Sequence, residues 1–143
     1  MLQLLKEDDK LLRRKSKRID KIDDTIRNLA ENLKETMITN SGVGIAAPQV
    51  GILKRIIVVL VNNNSKVMIN PEIIFTSEEV CTDNEGCLSF PGKYYDIERS
   101  QKITIKYRDL SGHPMLETHE GFTARVIQHE IDHLEGIVFT ERK

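Results

Sequence analysis

Ile19, Ile22, Ile26, Leu29, Leu33 and Met37 recur at spacings of three and four. That period puts them on one side of a helix and predicts an amphipathic α-helix over about 20–40. Asp20 or Asp23 offers a capping carboxylate at its start, and Asn40-Ser41-Gly42 stops it. Arg55 to Val61 is apolar and β-branched without alternation, the composition of a buried strand. Asn62-Asn63-Asn64-Ser65 reads as a turn, Lys66 to Ile69 as a second short strand and Glu72 to Ser77 as a third. From Lys102 to Tyr107, Ile103 and Ile105 alternate with Lys102, Thr104 and Lys106, which predicts a half-buried strand. Asp109-Leu110-Ser111-Gly112 then turns the chain into Pro114 to His119, completing a hairpin. A second helix is expected from near Thr123 to Gly136, followed by a last short strand at Ile137-Val138-Phe139. This order predicts one α+β domain over 1–143. Its mostly antiparallel strands pack around a central C-terminal helix, with one N-terminal amphipathic helix added.

Composition narrows the function classes. The chain is 39% apolar and 30% charged, as a soluble globular domain is. Its formal net charge of -1 gives no reason to expect direct nucleic-acid binding. The basic stretch Arg13-Arg14-Lys15-Ser16-Lys17-Arg18 follows acidic Glu7-Asp8-Asp9 and reads as a solvated surface. No apolar run reaches the ~18 residues of a membrane span. The start, Met1-Leu2-Gln3-Leu4-Leu5, is too short and too soon acidic for a signal peptide, so a cytoplasmic protein is expected. Cys81 and Cys87 are too few for a disulfide scaffold; each reads as a core residue, nucleophile or ligand.

The chemistry enters at His129-Glu130-Ile131-Asp132-His133, an H-E-x-x-H pattern. On a helix, His129 and His133 share one face and can offer two imidazoles to one metal ion. Glu130 can then reach a water beside that ion, the arrangement for metal-assisted hydrolysis. A catalytic site of this kind usually has three protein ligands and one open position. Candidates for the third are Cys87, Cys81, His113, His119 and the carboxylates. Cys87 stands out for its setting, Glu85-Gly86-Cys87-Leu88-Ser89, in which a glycine lets the backbone approach closely. Asp132 reads as a partner that orients a histidine or as a solvent-facing residue, and His113 and His119 read as surface residues.

The loop Gly42-Val43-Gly44-Ile45-Ala46-Ala47-Pro48-Gln49 loosely matches a dinucleotide fingerprint. It follows a helix and precedes a strand, the reverse of what that fingerprint requires. Together with Glu85-Gly86-Cys87-Leu88-Ser89 and Gln128-His129-Glu130-Ile131-Asp132-His133-Leu134, this loop resembles the peptide deformylase family, in the family's order and at similar separations. The resemblance runs from about Leu12 to about Phe139. It implies a divalent metal held by Cys87, His129 and His133: Fe²⁺ in the cell, with Zn²⁺, Ni²⁺ or Co²⁺ in a purified form. It implies hydrolysis of the N-formyl group on the terminal methionine of nascent polypeptides, with Glu130 as general base and acid. The Gln49 amide and the Leu88 N–H are implied as donors to the formyl oxygen. Val43, Phe122 and Val126 are implied to line a methionine pocket, and Gly44 to let the peptide approach as an added strand. Glu85 and Arg99 are expected to pair and brace the cysteine loop.

The chain departs from the resemblance in two places. Lys6-Glu7-Asp8-Asp9-Lys10 carries no proline where the family usually does, and no extension follows Lys143. Ribosome proximity through the nascent chain is therefore expected without a dedicated docking helix. The enzyme rival is a zinc endopeptidase, which shares H-E-x-x-H but has no need of the cysteine segment. The rival of another class is a domain with a closed structural metal, which has no need of Glu130.

Overall fold

In the computed structural model residues 2–143 are described; Met1, which opens the stretch read above as non-secretory, lies outside them. Two helices, α1 (Asp24–Thr39) and α2 (Gly121–Leu134), enclose an antiparallel sheet. Its strands are β1 (Gly44–Ala46), β2 (Ile56–Val61), β3 (Asn64–Thr76), β6 (Lys102–Arg108) and β7 (Pro114–Glu120), in the order β1-β2-β3-β6-β7. Strands β4 (Val80–Cys87) and β5 (Phe90–Ser100) form a separate two-stranded ribbon. None of the described helices is long and apolar enough to cross a membrane.

Side-chain alternation explains the layering. On β2, Ile56 and Val58 face α1 and pack with Leu29, Leu33 and Met37. Ile57 and Val59 face the other way and pack with Val126, Ile127 and Ile131 of α2. A strand covered on both faces needs apolar residues at every position, hence its unbroken run. A third cluster, Leu12, Phe90, Ile97, Val138 and Phe139, fastens the ribbon to the body.

Several expected boundaries move for local reasons. Asp23 is the cap of α1, its Oδ1 accepting from the Ile26 N–H at 3.2 Å, so Ile19 and Ile22 precede the helix. Ile19 is still buried, because the Asn70 side chain accepts its N–H at 2.8 Å and donates to its carbonyl at 2.6 Å. The two short strands expected at 66–69 and 72–77 are one bent strand, β3. Its pairing with β6 slips between Ile69 and Glu72, where Asn70 has φ 53° and Pro71 has no N–H for the ladder. Helix α2 starts at Gly121, slightly before the expected Thr123, and the chain leaves it at Gly136 with φ 75°. The strand expected at Ile137-Val138-Phe139 is not formed: Val138 caps a 3₁₀ turn, Phe139–Glu141. Phe139 instead inserts beside Phe90 and Tyr95, with ring centroids 5.2 and 5.4 Å away.

Candidate metal centre and active site

The centre lies where the ribbon meets α2. Cys87 ends β4 at a two-residue turn, Leu88-Ser89, which starts β5 at Phe90. His129 and His133 lie four apart on α2, with ring centroids 5.2 Å apart. One donor atom from each of Cys87, His129 and His133 lies within 4.8 Å of the others. Cys87 Sγ is 3.4 Å from His133 Nε2. The sequence spacing thus brings together the three residues expected to hold a metal.

Electrostatics supports a cation at this corner. Burial, with the positive charges of His129 and Arg99, holds His133 well below the usual imidazole range, so it stays neutral as a ligand must. Burial also opposes charge on His129, but Cys87, Glu85 and Glu130 overrule it and lift its pKa to about 10. Surroundings that stabilise a proton on this ring stabilise a bound cation by the same Coulomb attraction. A thiolate with two imidazoles suits Fe²⁺ or Zn²⁺. The residues therefore fit a divalent metal.

A layer of polar contacts fixes these donors. Glu85 Oε1 accepts from His129 Nδ1 at 2.8 Å, which leaves Nε2 for the corner. Two guanidinium groups grip the same carboxylate: Arg99 at 2.7 and 2.9 Å, and Arg125 at 2.6 Å. Burial would raise the Glu85 pKa, yet Arg99 and His129 hold it well below the usual carboxylate range. The expected Glu85–Arg99 pair is present, and its reach is wider than bracing the cysteine loop. Asp132 has no hydrogen bond to either histidine; it accepts from Arg99 at 2.7 Å and from Arg142. It therefore steadies His129 only at second hand, through Arg99 and Glu85.

Glu130 is buried beside this network. Burial pushes its pKa up to about 7, and Oε1 has no hydrogen-bond partner among the described residues. It abuts Gly44, where a Cβ would lie 2.7 Å from Glu130 Oε2 and 2.7 Å from Val126 Cγ1. The missing side chain at Gly44 therefore makes room for Glu130. Gln49, 1% exposed, sits in the 3₁₀ turn after β1. Its Oε1 accepts from the Ala46 N–H at 2.9 Å, which turns Nε2 toward Cys87 Sγ at 3.6 Å and Ser89 Oγ at 3.3 Å.

A cleft of about 620 Å³ opens onto the centre and is lined by Val43, Gly44, Leu88, Phe122 and Val126 among others. Val126 is buried at its wall, while Val43 and Phe122 are 42% and 63% exposed. His113 lies on the surface as expected, but His119 is half-buried against Glu117 at 2.9 Å. Cys81 is exposed and apart from the three donors. Sequence reading gave no role to Ser89 or Arg125. Arg125 had a visible signal: it lies four residues before His129, on the same helical face, in an otherwise apolar turn.

A sheet flanked by helices, with an H-E-x-x-H helix facing a cysteine turn at the end of a cleft, is the arrangement that metal-assisted hydrolysis needs. The comparisons specify the family. The Polypeptide deformylase profile matches residues 1–143. Peptide deformylase 1 of Clostridium perfringens is 51% identical over 138 residues, covering 95% of this chain and 93% of that protein. The crystal structure of peptide deformylase from Thermotoga maritima superposes with a TM-score of 0.97 at 42% identity, covering 99% of this chain and 97% of that one. A class I type b peptide deformylase from Acinetobacter baumannii, solved with Met-Ala-Ser bound, gives 0.95 at 37% identity over 100% and 98% of the two chains. The chain belongs to the polypeptide deformylase family, a family of enzymes.

Proposed function

We propose that this protein hydrolyses the N-formyl group from the terminal methionine of new polypeptides, releasing formate and a free amine. The observation that carries the reading is Glu130, buried with Oε1 unpartnered and a pKa near 7, next to the Cys87–His129–His133 corner. These three residues would hold the metal, of which Fe²⁺ is the proposed resident. Its chemistry there is Lewis acidity, which makes water a nucleophile near neutral pH.

The protein's own groups do the rest. Glu130, poised between protonation states, takes the proton of the attacking water and returns it to the leaving amine. The Gln49 Nε2–H group and the Leu88 backbone N–H donate to the formyl oxygen as negative charge builds on it. Glu85 keeps the His129 ring in one orientation throughout. Val43, Phe122 and Val126 receive the methionine side chain. The peptide backbone lies along the outer edge of β1, which among the described strands pairs with β2 alone. The Acinetobacter baumannii relative was solved with Met-Ala-Ser bound, which supports a peptide that begins with methionine as the ligand. The Glu130 carboxyl also disfavours a closed structural site, which needs no base.

The test is formate release from formyl-Met-Ala-Ser by protein purified without air and loaded with Fe²⁺ or Ni²⁺. Release by the wild type and not by a folded Glu130→Gln variant is the expected result. No release from the folded, loaded wild type overturns the reading.

A further inference from the structure

Five residues of acidic or basic type line the cleft: Lys6, Glu85, Arg125, His129 and Glu130. Four belong to the centre. Glu85, Arg125 and His129 form one hydrogen-bonded network, and Glu130 adjoins it. The Lys6 ammonium has no hydrogen bond or ion pair among the described residues. Among the described residues that line the cleft, it is the one uncompensated charge.

The backbone that carries it is held on both sides. The Leu5 N–H donates to the Gln49 carbonyl at 2.7 Å, one residue before Lys6. Glu7, one residue after it, pairs with Lys93 of β5. The Lys6 carbonyl itself accepts from the Asp9 N–H at 3.0 Å. The segment carrying Lys6 is thus pinned on both sides, between the turn that bears Gln49 and the ribbon that bears Cys87. A peptide held with its formyl group at Cys87 and Glu130 must send its later residues out along this cleft.

We infer that Lys6 selects for acidic side chains in the residues that follow the formyl-methionine. The inference rests on the deformylase reading above. An exposed ammonium meeting a carboxylate favours the acidic peptide by about two- to fivefold over a basic one, and less in high salt. A contact far from the reacting bond is equal in ground and transition states, so it acts through KM and leaves kcat unchanged.

The experiment uses metal-loaded enzyme and C-terminally amidated formyl-Met peptides with Asp, Ser or Lys placed at the second, third or fourth position. The expected result has four parts: at one or more positions Asp exceeds Lys in kcat/KM through KM; salt narrows the difference; Lys6→Gln abolishes it; Lys6→Glu reverses it. Turnover of the neutral peptide by the wild type with no charge preference overturns the role of Lys6 and leaves the deformylase reading standing. A preference that survives Lys6→Gln and Lys6→Glu also overturns it. Absence of turnover on every peptide overturns both.

Discussion

Gly44 and Glu130 are in direct contact across the cleft wall, so close that a Cβ on Gly44 would sit 2.7 Å from Glu130 Oε2. Real Cβ atoms do not approach an oxygen so nearly, and Val126 blocks the alternative direction at the same distance. Gly44→Ala must therefore push the Glu130 carboxyl off its present position. Overpacking of this kind costs about 1–3 kcal/mol of stability. A displacement near 1 Å of a reacting group costs about 100-fold in rate. Gly44→Ala is expected to stay folded by circular dichroism, to bind metal, and to lose at least tenfold in kcat/KM for formyl-Met-Ala-Ser. Near-wild-type activity would refute the placement of Glu130 as the working carboxyl.

Arg125 joins the two elements that supply the metal donors. From α2 it donates to Glu85 at 2.6 Å, to the Ile97 carbonyl of β5 at 2.8 Å and to the Cys81 carbonyl of β4 at 2.7 Å. Arg125→Leu takes a donor away from two ribbon carbonyls and removes one of the two guanidinium groups that grip a buried carboxylate. Breaking such a buried pair costs about 3–5 kcal/mol. The expected outcome is a melting temperature lower by about 10 °C, together with faster loss of metal to a chelator. Arg125→Lys, which keeps the charge but reaches fewer acceptors, should fall between. If the leucine variant melts lower but holds metal as tightly as the wild type, Arg125 stabilises the ribbon without positioning the donors.

The centre was largely readable from the chain because its key spacing is local. His129 and His133 share a helix, and a helical period fixes their separation whatever surrounds them. The same holds for the apolar stripe from Ile26 to Met37 and for β2. What stayed hidden depends on distant partners. The hydrogen bonds of Asn70 to Ile19 cross 51 residues, and nothing near Asn70 announces them. The ribbon was missed because Val80 to Asn84 is exposed on both faces, leaving no apolar alternation to read. Ile137, Val138 and Phe139 have the composition of a strand, but burial of Val138 and Phe139 with Leu12, Phe90 and Ile97 decided the conformation there. The Glu85–Arg99 pair was foreseen, yet its hold on His129 and its second guanidinium required the fold.

Cys87 and Cys81 lie on the same strand, and only Cys87 turns its sulfur toward the two histidines. Cys81 is exposed on the ribbon, and among the described residues its thiol makes one polar contact, a long one to the Thr82 carbonyl at 3.9 Å. Co²⁺ distinguishes the two, because a cobalt–thiolate bond produces an intense near-ultraviolet charge-transfer band that imidazole ligands alone do not. Chelation of the purified protein is expected to abolish formate release, and Ni²⁺ or Fe²⁺ to restore it. Loading with Co²⁺ should produce the thiolate band in the wild type and in Cys81→Ala. Cys87→Ala should lack the band and bind cobalt more weakly, since two imidazoles remain where three donors stood. A band that persists in Cys87→Ala and vanishes in Cys81→Ala would move the metal away from the α2 corner and undo the assignment of Glu130 with it.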